Sequence, residues 1–173
     1  MLAMGMLTLA GGMIAGQFHH AFGVAPVVGA ILCAALFLRP RDLFIVGLGG
    51  ILVRDLVMGL SLFTAARLAG IALVVAAIVA LKVRPNPRSL LTGLLVSSPL
   101  FHLALAAGNW ATGTCGDFPR TAQGLGQAAV GAIPYFQRSF LGDVLFAGLF
   151  LGAYSLAGYT VLGWRPSREG TAA

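Results

Sequence analysis

Residues 45–70 read IVGLGGILVRDLVMGLSLFTAARLAG. Two apolar runs flank a short Met-Gly-Leu-Ser turn at 58–61, and each run carries charge within it: Arg54 and Asp55 in the first, Arg67 in the second. An ionisable residue inside a bilayer-length apolar segment costs roughly 2.5–3.5 kcal/mol on insertion scales, so it normally faces a partner or a cavity. If both runs are helices joined near Ser61, Asp55 and Arg67 each lie six residues from the turn. At ~1.5 Å of rise per residue the two sit at equal depth, about 9 Å below it. The stretch predicts a helical hairpin closed by an Asp55–Arg67 pair. Two uses stay open for that pair: an ion pair that fixes the hairpin, or a charged wall of an outward-facing pocket.

The rest of the chain resembles this stretch. It is 58% hydrophobic and only 9% charged, with a mean hydropathy of +0.92. Soluble domains carry about 25% charged residues, so this chain lacks the charge to cover a water-facing surface, and the class is integral membrane. A helix needs about 20 apolar residues to cross a bilayer. Six segments come close: 2–17, 24–38, 43–60, 62–82, 89–110 and 139–161. The expectation is an all-α, polytopic bundle of six transmembrane helices in one domain, 1–163, followed by a tail at 164–173. RPRD (39–42) and RPNPR (84–88) combine proline with positive charge and read as turns in water, as do HHAFG (19–23) and MGLS (58–61) on the opposite side. Seven of the eleven cations, Arg39, Arg41, Lys82, Arg84, Arg88, Arg165 and Arg168, share the side of both termini. The positive-inside rule then puts both termini in the cytoplasm. The N-terminal run lacks a basic flank, which favours a first membrane helix over a cleaved signal.

Residues 115–136, CGDFPRTAQGLGQAAVGAIPYF, fall on the outer side between the last two spans. Leu125, Ala129 and Ile133 recur at i, i+4, i+8, while Gln123 and Gln127 form a second stripe. That spacing predicts a short interfacial helix ending before Pro134. Arg120 joins this external set. Asn109 and Trp110 end the fifth span, and Tyr135 and Phe136 suit either interface anchors or a stacking platform. Asp143 is placed in the first turn of the sixth span, where a carboxylate is favoured by the helix N-terminus. His19 and His20 occupy the first outer turn. His102 follows Pro99 and reads as a packed, hydrogen-bonded residue. No spacing of metal ligands appears, and no cofactor is implied. The first span holds Gly11-x-x-x-Ala15 and Gly12-x-x-x-Gly16, small residues that let another helix approach closely.

Several function classes are excluded. There is no phosphate-binding lysine loop, no HExxH and no G-x-S-x-G, so the chain is not expected to be an enzyme. The pI of about 10.4 does not signal nucleic acid, because the cations form no single patch.

The segments PVVGAILCAALF, the Arg54-Asp55 helix, GNW, FPRTAQGL, AIPYF and FLGD together resemble a family of small, largely uncharacterised bacterial six-helix membrane proteins. That family is grouped with the substrate-binding (S) components of energy-coupling-factor transporters. The similarity covers about residues 16–155, with Asp55 matching the aspartate of the family's Ser-Asp pair. It implies a bundle that binds a small water-soluble metabolite or vitamin at its outer face. Asp55, Arg54, Arg67, Asn109, Trp110, Arg120, Gln123, Tyr135, Phe136, Asp143, His19 and His20 are the candidate substrate contacts. Gly11, Gly12, Ala15 and Gly16 would face a membrane coupling subunit that works with ATPases. On this reading 115–136 is the lid of the site. The alternative is a membrane scaffold or assembly protein that docks a partner at the same face.

Overall fold

The structure, a computed structural model, describes residues 26–84, 87–114 and 117–160. Those residues form six helices and no strands: α1 Val27–Ala34, α2 Pro40–Met58, α3 Leu62–Ala80, α4 Pro87–Thr112, α5 Ala122–Gly131 and α6 Ile133–Thr160. The expected first span at 2–17, the turn at 19–23 and the tail at 164–173 lie outside the described residues.

Local chemistry sets the bounds. Pro40 opens α2, where its fixed φ suits a helix and its missing N–H is not needed. Gly59 ends the helix at φ 105, a backbone region that glycine enters without a steric cost. Two residues later the Thr64 hydroxyl accepts from the Ser61 N–H at 3.3 Å, which fixes the start of α3. The 24–38 span proves shorter than its apolar run: α1 holds eight residues, and 35–37 form a turn.

The larger correction concerns the helix expected at 139–161. It starts at Ile133, not 139, so Pro134, Tyr135 and Phe136 are helical. A proline in the first turn has no intrahelical hydrogen bond to forfeit, which is why Pro134 begins this helix instead of separating it from the loop.

α3 and the stretch Arg88–Thr112 of α4 are long and apolar enough to cross a membrane. Together they make the most extensive helix pair. Small residues bring them close: Gly108 lies against Ala66, and a side chain at Gly70 would stand 2.9 Å from the Phe101 ring. The hydrophobic core gathers Val28, Ile31 and Leu32 of α1 with Ile71, Val74 and Ile78 of α3 and Leu90, Leu94 and Phe101 of α4. α1 is buried along nearly its whole length. The outer surface is apolar too, with Leu52, Leu73, Leu103, Leu145 and Leu149 exposed. Such a surface suits lipid better than water.

The α3–α4 contact gives a direct test. An alanine at 108 would drive its methyl into Ala66, and overpacking of this kind costs about 1–3 kcal/mol. Gly108→Ala should therefore lower the melting temperature in detergent by several degrees. Gly148→Ala, which meets nothing within 4 Å, should leave it unchanged or raise it.

Candidate functional site

The hairpin of α2 and α3 brings Asp55 and Arg67 together as the spacing about Ser61 requires. Arg67 Nη1 donates to Asp55 Oδ1 at 2.8 Å and to Oδ2 at 2.9 Å. The carboxylate is 1% exposed and the arginine 28%. The guanidinium carbon stands 5.1 Å from the centre of the Phe63 ring, a cation–π contact that covers one face. Asp55 is three residues from the end of α2 and Arg67 five from the start of α3, so the pair lies about 5–8 Å inside the turn. Among the described residues, Nη2 and Nε of Arg67 make no hydrogen bond. Arg67 thus commits one nitrogen of a fork that has five N–H donors to a desolvated carboxylate.

Because Gly108 abuts Ala66, the last turn of α4 stands beside Arg67, with Asn109 and Trp110 half-buried there. The Trp110 indole Nε1 donates to the Pro119 carbonyl at 2.8 Å and ties the chain after α4 back onto that helix. Gly124 lies against the same Pro119 carbonyl. The Thr121 hydroxyl accepts from the Gly124 N–H at 3.2 Å and caps α5. Trp110→Phe keeps the ring and removes the hydrogen bond, worth about 1 kcal/mol. It should speed protease cleavage within 117–121 several-fold and leave the bundle's melting temperature nearly unchanged.

α5 forms where a short helix was expected, but it presents a different face. Gly124 and Ala128 are its buried residues, while Leu125, Gln123 and Gln127 are exposed. The close approach to Pro119 admits only small side chains, so the Leu125–Ala129–Ile133 stripe is not the packed face. Arg120 is exposed, and Tyr135 is 70% exposed. Neither Gln123 nor Tyr135 faces inward beneath a lid. Phe136 does turn inward, where its ring packs 5.3 Å from His102 and 5.6 Å from Phe140. It belongs to the bundle and not to a stacking platform. His102 is the packed histidine expected: its Nδ1 bonds the Ser98 carbonyl at 2.9 Å.

Asp143 is not in a first turn. It lies ten residues beyond Ile133, about 15 Å along α6, and is fully buried. Its Oδ1 accepts from the Gly29 N–H at 2.8 Å and its Oδ2 from the Ser98 hydroxyl at 3.0 Å. Pro26, the residue before α1, supplies no side-chain cap, and the Asp143 carboxyl takes over that task from another helix. The helices touch backbone to backbone here, since a side chain at Gly29 would stand 2.6 Å from the Asp143 carbonyl oxygen. Ser98 precedes Gly108 by ten residues on α4, so Asp143 lies about 15 Å deeper than the Arg67 level. The expected grouping of Asp143 with Asp55 and Arg67 at one mouth does not form, because α6 begins earlier and carries Asp143 inward. Gly29 and Ser98 were not foreseen as its partners. The available signal was Pro26, a residue unable to cap the helix it precedes.

The side chain of Arg54, and His19, His20, Gly11, Gly12, Ala15 and Gly16 entirely, lie outside the described residues. Among the described residues no group of three or more His, Cys, Asp or Glu converges to hold a metal. A groove of about 650 Å³ lies at the far end of the hairpin, between the start of α2 and the end of α3.

Residues 1–165 match the family of unknown function DUF6580, and the chain belongs to that family. No curated protein and no solved structure matches it.

Proposed function

We propose that this DUF6580 chain is a multi-pass membrane transport component that binds a small, water-borne anionic metabolite at the outer end of the α2–α3 hairpin. A separate coupling subunit would complete uptake. The observation that supports this reading is Arg67: a partly exposed guanidinium with one nitrogen committed to Asp55 and two nitrogens uncommitted among the described residues. Arginine forks of this kind take carboxylates and phosphates two bonds at a time. Asp55 balances the charge when no anion is bound. Asn109 stands on the adjoining turn of α4, while the Trp110 N–H is committed to the Pro119 carbonyl. The resemblance of FPRTAQGL, AIPYF and FLGD to a family grouped with the S components of energy-coupling-factor transporters supports the same reading.

The test is thermal unfolding of the purified full chain across a panel of carboxylate- and phosphate-bearing vitamins and metabolites. A bound ligand stabilises by mass action, about 2.7 kcal/mol at a hundred times its Kd. Arg67→Lys retains a cation for Asp55 and loses the spare arm of the fork. It should keep most of the stability and abolish the ligand shift. A panel with no shift would overturn this reading in favour of a scaffold that docks a protein at the outer face.

A further inference from the structure

We infer that the groove at the other end of the hairpin binds one acyl chain of an anionic phospholipid, with the lipid phosphate held at a basic rim. The groove has a plain origin in the sequence. Ala72, Ala76 and Ala80 line it at i, i+4, i+8 on α3, and their small side chains leave a trough that Phe44 and Ile45 of α2 wall on one side. Among the described residues Arg41 is the only charged one in the lining, at the end where α2 begins. Arg39, Lys82 and Arg84 are exposed in the turns at that same end, where Asp42 is the one carboxylate among the described residues. From Ala72 to Ala80 the trough runs about 12 Å, close to one leaflet of a hydrocarbon core about 30 Å thick. It is apolar along its length and cationic at one end, which is the charge pattern of a lipid that carries a phosphate and no compensating amine. Basic pockets between membrane helices on the cytoplasmic side recognise such headgroups. A second copy of the chain fits less well: nine residues line the groove, whereas a stable interface uses about 20–30 a side.

This inference needs the membrane assignment but no metabolite, so it fails or holds independently of the transport reading. The experiment is native mass spectrometry of the full chain released from detergent, titrated with phosphatidylglycerol or with phosphatidylcholine of the same acyl chains. Retention of phosphatidylglycerol should exceed that of phosphatidylcholine at least about fivefold, the factor expected for one cation near an anionic lipid. Arg41→Gln should remove that preference. Ala76→Phe, which fills the trough, should remove retention of both lipids; Leu149→Phe, on an exposed part of α6, should change neither. If Ala76→Phe fails to fold, Arg41→Gln at an exposed site still decides the question. Equal retention of the two lipids, or a preference that survives Arg41→Gln, would overturn the assignment. So would a dimer that Ala76→Phe disrupts, since a second copy would then occupy the groove.

Discussion

Asp143→Ala is expected to destabilise the protein by about 3 kcal/mol, while Asp143→Asn costs no more than about 1. Alanine strips the acceptors from two buried donors, the Gly29 N–H and the Ser98 hydroxyl, and each unsatisfied group costs about 1–3 kcal/mol. It also leaves a hole where α1, α4 and α6 meet. Relief of the carboxyl's own burial offsets part of that. Asparagine keeps the shape and one acceptor oxygen for the Gly29 N–H. Its amide then faces Ser98, whose hydroxyl can rotate from donor to acceptor. Thermal unfolding in detergent separates the cases. If both variants collapse equally, charge and not geometry is what α1 needs from Asp143, and the trans-cap account is wrong.

That residue also shows where the sequence ceased to be readable. The hairpin was legible because its two halves are neighbours in the chain: the turn at 58–61 and the symmetric placement of Asp55 and Arg67 require only the rise of a helix. The short helix over 122–131 was legible because Leu125, Ala129 and Ile133 recur at helical spacing and Pro134 bars any helix arriving from its N-terminal side. The face of that helix was misread, since hydrophobic spacing favours Leu125, while the packing distance to Pro119 selects Gly124. The start of α6 was misread for a related reason. Proline ends helices and also begins them, and local sequence does not say which when both sides are apolar. The ten-residue offset of Asp143 followed from that one boundary, and with it the loss of the expected single polar mouth. Gly29 and Ser98 were out of reach because their link to Asp143 spans 114 and 45 residues.

The second large effect concerns the hairpin pair. Arg67→Met should destabilise by about 3 kcal/mol, because it takes a close cation away from a buried carboxylate. Asp55→Asn should cost far less, since Arg67 is 28% exposed and its charge can turn to water. The revealing variant is the double one. Once the carboxylate has become a neutral amide, the arginine can be replaced by methionine without stranding a charge. Asp55→Asn combined with Arg67→Met should therefore be more stable than Arg67→Met alone. The coupling energy should reach about 2–3 kcal/mol, well above the error of additivity for independent sites. Chemical unfolding of the four proteins measures it. A double variant equal to the sum of the singles would mean that packing of α2 on α3 holds the hairpin unaided. The close Nη1 contact to both oxygens of Asp55 would then be incidental to folding. Strong coupling gives the opposite constraint: a ligand that takes the free arm of Arg67 must leave the Asp55 bonds in place, because drawing the guanidinium away would cost the hairpin its stability. The binding mode consistent with both is a bridge, with Asp55 on Nη1 and the ligand's anion on Nη2 and Nε.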